Sequence, residues 1–374
     1  MTKVRHVLGI SGGKDSAALA IYMHNKYPEL DIEYYTCDTG KELDETYQLI
    51  KGLEVYLGKS IRLLRAAEGS TKDPFDHFLD IYGGYLPSSR ARWCTKKLKL
   101  EPFEEFVGND LVVSYVGIRG DEEREGYISE KPNIQSIFPF RKNIWSEDVV
   151  RKLLNDSNLA NVTSLFHTII TESFVNSAHA SRFGEVLARP LKAGYTLLQK
   201  VNQLLEADTK LFNRLVFAFL KRTNYPLALE DSFPLLDNDE VQVRDDIFKL
   251  LEGSGVGTPA YYKAKDFKIA NTPVGQYSRS RSGCYFCFYQ QKIEWVWLYE
   301  QHRDRFMEAM AYEKDGYSWN DEETLAEMIQ PERIEAIKEE YLKRTARNKR
   351  KEKSSYLLDI LEDAEGEGCA SCFI

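Results

Sequence analysis

Two rhythms of apolar and polar positions divide the chain. Over the first 150 residues, short apolar runs at 4–10, 32–37, 60–64 and 111–118 alternate with stretches of helical spacing near 15–27, 42–58 and 98–107. Strands separated by helices give that pattern. It predicts right-handed βαβ crossovers and an α/β fold with a doubly wound, mostly parallel sheet covered on both faces. Three of the runs end in polar clusters: Ser11-Gly12-Gly13-Lys14-Asp15-Ser16, Asp38-Thr39-Gly40, and the segment from Arg119 to Arg124. Open α/β sheets bind ligands outside the carboxyl ends of their strands, so the clusters are expected to share one crevice.

From about residue 149 the strand signals fade, and apolar residues recur at helical spacing, as in YTLLQKVNQLLEADTKLFNRLVFAFLKR. The expected organisation is a nucleotide-binding α/β domain over 1–148 and a helical insertion over 149–232. A cysteine- and aromatic-rich module over 233–310 completes the site, and a charged helical region with an acidic tail covers 311–374. The insertion's borders, FPFRKNIWSEDVVRKLL and FPLLDNDEVQVRDDIFKLL, look alike, but one matched element is too little for an internal repeat.

Composition narrows the compartment and the partners. Among 374 residues, 43% are hydrophobic and 29% charged, ordinary for a globular protein, and 50 basic against 58 acidic residues give −8. Contact with nucleic acid must therefore come from a local patch. Candidates are Arg90 and Arg92, and the stretch from Lys343 to Lys353 with its seven Lys or Arg, although such a run is commonly a solvated helix face. No apolar run approaches a membrane span and the start lacks a signal-peptide h-region, so a cytoplasmic protein without a membrane partner is expected. In a reducing compartment the six cysteines, at 37, 94, 284, 287, 369 and 372, suggest metal or redox chemistry before disulfides. The histidines show no ligand spacing.

The first cluster has a direct chemical meaning. Gly12 and Gly13 let backbone N–H groups approach an anion, the helix that follows adds its positive end, and Lys14 adds a point charge. A Walker loop needs Ser or Thr directly after the Lys to reach Mg²⁺; here Asp15 follows. Such a loop suits pyrophosphate as a leaving group, and Lys14 is expected to be exposed. SGGKDS resembles the PP-loop of the ATP pyrophosphatases, with their adenine nucleotide alpha hydrolase-like fold. DTGKELDET, RWCTKKLKLEPFEEF, VGIRGDEER and RSGCYFC follow in the order of the phosphoadenylylsulfate (PAPS) reductase-like branch. FPLLDNDEV, GSGVGTPAYY and SGCYFCFYQQKIEW are most similar to the ATP-pyrophosphatase subunit of bacterial DNA phosphorothioation systems.

The resemblance implies a nucleotide site of Ser11, Gly12, Gly13, Lys14, Asp15, Ser16, Asp38, Thr39, Gly117, Arg119 and Arg124, with Lys14, Asp15 and Arg119 catalytic. Asp38 is a candidate for Mg²⁺ or adenosine, or only a helix cap. Arg119 and Arg124 are expected to face phosphates, or else to pair with Glu122 and Glu123. Cys284 and Cys287 share one tight turn, and Cys94 adds a third thiolate from a distant segment, a set able to surround a metal. Lys96, Lys97, Arg279 and Arg281 are expected to favour the thiolates. In similar sulfur-inserting enzymes three cysteines hold a [4Fe–4S] cluster with one open iron. A Zn²⁺ site including Cys369 and Cys372, or a packed set of unligated thiols, are the other readings.

The expected reaction follows from these assignments. ATP with Mg²⁺ places its β- and γ-phosphates on residues 11–16, and an acceptor oxygen, a DNA backbone phosphate, takes the adenylate. Sulfide from a cysteine desulfurase, working with other phosphorothioation subunits, then displaces AMP. The alternatives are a PAPS or APS reductase, a transfer-RNA thiolase, and a nucleotide-sensing defence protein. The chain lacks the Glu-Cys-Gly-Leu-His segment that carries the nucleophile of true PAPS reductases, which leaves Cys369-Ala-Ser-Cys372 as a mobile thiol pair for that alternative.

Overall fold

A computed structural model describes residues 3–122, 129, 131–172, 177–269, 274–281, 283–314 and 316–351. Its centre is a five-stranded sheet of β1 (Arg5–Gly9), β2 (Ile32–Asp38), β3 (Ile61–Arg65), β4 (Val112–Tyr115) and β5 (Ile134–Ile137). The spatial order is β3-β2-β1-β4-β5, and every pairing is parallel. The expected α/β architecture and its first four strands are present. β5 is an addition: Gln135 and Ser136 interrupt its apolar pattern, yet all four of its residues are buried.

Because side chains alternate along a strand, β1 feeds two cores at once. Leu8 packs with α1 (Lys14–Lys26), α2 (Asp44–Leu57) and α10 (Arg244–Gly253), whereas Val7 packs with Tyr35, Phe103 and Val112 on the opposite face. The chain runs outward from β1 to β3, then returns to place β4 on the other flank of β1. The carboxyl ends of β1 and β4 therefore form the topological switch point, where open α/β sheets keep their ligand crevice.

The helical stretch expected in the middle of the chain is occupied by α6 (Glu147–Leu153), α7 (Leu159–Glu172), α8 (Ser177–Ala188) and α9 (Leu197–Leu220). Phe183, Leu204, Phe212 and Leu215 join the same apolar cluster as Leu19, Ile137 and Trp145, so these helices extend the core on one face of the sheet.

A second core gathers the C-terminal elements: β6 (Lys265–Phe267), β7 (Gly275–Tyr277), α11 (Lys292–Gln301), α12 (Arg303–Ala311), α13 (Leu325–Met328) and α14 (Pro331–Lys351). Tyr285, Phe286, Trp295 and Trp319 meet Phe75 of α3 (Pro74–Ile81), Trp93 and Leu98 there. Trp93 opens α4 (Trp93–Thr95), which continues through a π-helical turn (Lys96–Leu100) into α5 (Glu101–Val107).

His6 ties β1 to β4: its Nδ1 lies 2.8 Å from the Tyr115 hydroxyl, and burial lowers its pKa to about 4. A neutral folded imidazole contributes stability that is present above about pH 6.5 and is lost as pH falls towards 4. Urea midpoints at pH 7 and pH 4.5 should fall less steeply with acid in His6→Gln than in the parent. Equal slopes for the two proteins would show that His6 titrates as an ordinary surface histidine.

Candidate nucleotide site

α1 begins directly after β1, and its N-cap is Gly13, in an extended conformation (φ −90°, ψ 159°) with no side chain to occupy the first N–H groups. A helix start left this way attracts an anion. Gly12 turns the chain with φ +74°, and a Cβ there would lie 2.2 Å from Thr46 Cγ2. Ser16 closes the loop: its hydroxyl accepts from Ser11 N at 3.1 Å and donates to the Gly13 carbonyl at 3.2 Å. Gly117 lets the end of β4 approach, since a Cβ there would stand 3.0 Å from the Asp15 carbonyl oxygen.

Charge concentrates at this junction. Asp15 accepts from Lys14 Nζ at 2.7 Å and from Arg119 Nη1 at 3.0 Å. Arg119 also meets Asp121 at 2.8 Å and Glu122 at 2.6 Å. Burial lowers the guanidinium's pKa, but Asp15 and Glu122 outweigh that cost and hold it above its ordinary value. Arg119 is thus shared among three carboxylates instead of standing open to a phosphate. Lys14 is a correction to the expectation of an exposed residue: it is 7% exposed and lies 5.4 Å from the centre of the Tyr262 ring.

The Asp38-Thr39-Gly40 turn follows β2. Asp38 Oδ1 accepts from Gly40 N and from the Tyr47 hydroxyl, both at 2.9 Å, and Asp38 is not the cap of α2, whose N-cap is Leu43. Thr39 donates to Glu42 Oε1 at 2.6 Å, and its hydroxyl lies 3.1 Å from Cys284 Sγ. Burial, with the Asp38 charge behind it, raises the Glu42 pKa against the hydrogen bond from Thr39.

The cysteine turn therefore docks on the second strand-end loop. Glu42 bridges Cys284 in antiparallel fashion, and Tyr285 N donates to the Lys41 carbonyl at 2.7 Å. Lys41 is itself 4% exposed among Asp73 at 2.9 Å, Asp76 at 3.2 Å and Glu308 at 3.3 Å, which links β2 to α12.

Cys94 lies near enough to Cys284 to bear on its thiol, and Cys287 shares the turn. Among the described residues, however, no three His, Cys, Asp or Glu side chains are grouped to hold a metal ion. The expectation of favoured thiolates also needs correction. Burial and then Glu42 push the Cys284 thiol well up, and burial pushes Cys37 up to about 12. Arg279 contacts the Cys284 carbonyl, not its sulfur, and Lys97 pairs with Glu101 at 2.8 Å. Lys99, which the sequence reading passed over, is the cation whose charge opposes both shifts. Arg124, Cys369 and Cys372 lie outside the described residues.

Two further residues had no signal of their own. Tyr261 donates to the Gly12 carbonyl at 2.8 Å, and the Tyr262 hydroxyl accepts from Lys14 N at 3.4 Å. They end the GSGVGTPAYY segment, whose value as a motif was visible but whose contact with a loop about 250 residues earlier was not.

Residues 5–160 match the family model of the phosphoadenosine phosphosulfate reductase domain. That stretch is under half of the chain, and it is similar to the PAPS reductase domain. It takes in the sheet, the Ser11–Ser16 loop, Asp38, Cys94 and Arg119, while Cys284 and Cys287 fall beyond it. Over 153 residues the chain is 31% identical to an uncharacterized protein of Methanocaldococcus jannaschii. The match covers 37% of this chain and 30% of that protein, so the chain spans under a third of that relative's length. Among solved structures, the PAPS reductase of Candida auris in a phosphate complex aligns with a TM-score of 0.29 and 17% identity, over 39% of this chain and 68% of that one.

The loop geometry makes a sharp contrast between two glycines. Gly12→Ala meets both a left-handed φ and Thr46, whereas Gly58→Ala, at φ +61° with nothing within 4 Å, meets only the first. Gly58→Ala should cost about 1 kcal/mol and Gly12→Ala about 2 kcal/mol more, with loss of nucleotide binding. Thermal melts with and without ATP check this; equal melting temperatures and intact ATP stabilisation in both variants would contradict the tight packing of the loop.

Proposed function

We propose that the protein is a PP-loop ATP pyrophosphatase. It adenylates a nucleic-acid acceptor, a DNA backbone phosphate, for sulfur insertion in a DNA phosphorothioation and anti-phage defence system. The observation that carries the nucleotide part of this reading is the meeting of Lys14 and Arg119 on Asp15 at the start of α1, whose N-cap is a glycine. The Ser16 hydroxyl is engaged inside the loop by Ser11 and Gly13, which supports a role in shaping the loop over the Mg²⁺-bound hydroxyl of a Walker site.

In the proposed step, an acceptor phosphate oxygen attacks the α-phosphorus of ATP and the bond to the bridging α–β oxygen breaks. Pyrophosphate leaves with the bonding pair. The acceptor oxygen is already anionic at neutral pH, so no strong base is required. Lys14 and the first N–H groups of α1 oppose the charge gathering on the departing pyrophosphate, the kind of preorganised stabilisation that dominates such transfers. Arg119 holds Asp15 in place and gives the junction a cation able to turn from carboxylate to phosphate.

Cys94, Cys284 and Cys287 are the proposed ligands of an iron–sulfur centre that would supply a site for sulfide, released from the persulfide of a cysteine desulfurase by a dithiol reductant that becomes a disulfide. Among the described residues the three are not grouped as metal ligands. Iron, sulfide and zinc analysis of anaerobically purified protein tests the assignment, with one zinc and no iron as the contrary result. A second reading, a sulfonucleotide reductase, draws on the name of the matched family. Sulfite release from PAPS with a dithiol reductant, in place of pyrophosphate release from ATP, would favour it.

The test of the loop uses Lys14→Met, because Lys14 is buried and an unbranched apolar side chain fills most of its space. Pyrophosphate release from ATP with DNA should fall by about 100-fold or more, and loss of the buried ion pair with Asp15 should lower the melting temperature as well, so release is measured well below it. Undiminished release in a folded Lys14→Met protein would remove the loop from the chemistry.

A further inference from the structure

Two adjacent tyrosines hold the loop of residues 11–16, and they hold it differently. Tyr261 is 1% exposed, and its hydroxyl donates to the Gly12 carbonyl at 2.8 Å. Arg279 N donates to the Tyr261 carbonyl at 2.9 Å, and Arg279 Nη2 donates to the Cys284 carbonyl at 2.9 Å, so Tyr261 is tied to the loop at one end and to the cysteine turn at the other. Tyr262 is only half-buried, with its ring 4.6 Å from that of Tyr261. Its hydroxyl accepts from Lys14 N at 3.4 Å.

That donor is a particular one. Lys14 is the first residue of α1, and a first-turn N–H has no acceptor within its own helix. The Tyr262 hydroxyl therefore rests on one of the groups that a helix start offers to an anion. Lys14 Nζ lies 5.4 Å from the centre of the same ring, so Tyr262 borders both the N–H and the ammonium.

The strengths of the two possible acceptors differ. At 3.4 Å the bond to the neutral hydroxyl is longer than an ordinary N–H···O bond, whereas a bond to an ionised oxygen is shorter and about twice as strong. An exchange of hydroxyl for phosphate oxygen is downhill. Rotation about the two side-chain torsions of Tyr262 is enough to allow it, and Tyr261 need not move.

We propose that Tyr262 is a yielding residue of the nucleotide site. Its hydroxyl keeps the Lys14 N–H until a phosphate oxygen takes that donor, and the ring then turns aside while Tyr261 continues to hold Gly12. The proposal rests on the reading of residues 11–16 as a phosphate loop and adds a competitor to it. Apparent affinity is lowered by the fraction of molecules in which the hydroxyl holds the donor.

Calorimetry with pyrophosphate and with α,β-methylene ATP, whose α–β link resists cleavage, measures the exchange in the whole protein with Mg²⁺. Tyr262→Phe keeps the ring and removes the competing oxygen, so both probes should bind about three- to tenfold tighter. Tyr261→Phe loses the bond to Gly12 and should weaken both by a similar factor; melting temperatures check that each variant is folded. Unchanged or weaker binding in Tyr262→Phe, tighter binding in both variants, or a parent that binds neither probe overturns the proposal. Tighter binding in Tyr262→Phe of a protein that releases no pyrophosphate from ATP upholds the role of Tyr262 and removes only the pyrophosphatase reading. Intact pyrophosphate release beside unchanged binding in Tyr262→Phe does the reverse.

Discussion

Asp15 is the hinge of the site, because one carboxylate at the start of α1 has to hold two cations from different strands' ends. Lys14 reaches it from the same turn and Arg119 from the end of β4, at 2.7 and 3.0 Å. The parallel order of the sheet makes this possible by putting β1 and β4 side by side at the switch point. Gly117 is the complementary condition, since a side chain there would press on the Asp15 backbone. With Asp121 and Glu122 also on Arg119, the junction holds two cations against three carboxylates. A highly charged anion entering such a set needs either added cation or displacement of a carboxylate, which is a physical reason for the proposed ATP to require Mg²⁺.

The C-terminal module is joined to this junction by contacts of a different kind. Tyr261 and Tyr262 back the phosphate loop, and the cysteine turn pairs with Glu42 and Lys41. Lys41 is buried among three carboxylates, and removing one member of a buried charge set commonly costs about 3–5 kcal/mol. The loop of residues 11–16 and the cysteine turn are therefore two sides of one packed structure. Glu42 sits between them, in contact with Thr39 and Tyr47 on one side and near Cys284 on the other.

The sequence made much of the frame legible, and the reasons for its silences are physical. Strand runs with clean apolar character, such as those of β1 and β2, declare themselves by period and by the turn residues that end them. β5 did not, because its Gln135 and Ser136 are buried polar residues, and Gln135 is used to accept from Leu227 N at 3.1 Å. The tight turn between β1 and α1 was readable from Gly12 and Gly13, but the burial of Lys14 beside Tyr262 was not, because no local pattern connects the two. The upward shift of the Cys284 thiol was hidden in the same way, since it comes from burial and from Glu42, 242 residues away in sequence.

The central claim is that this junction breaks ATP between its α- and β-phosphates. ³¹P NMR of ATP and Mg²⁺ incubated with the protein and DNA measures the broken bond directly. The account predicts growing pyrophosphate and AMP signals with no ADP. Appearance of ADP and orthophosphate, or ATP resonances that persist unchanged beside active protein partners, would contradict it.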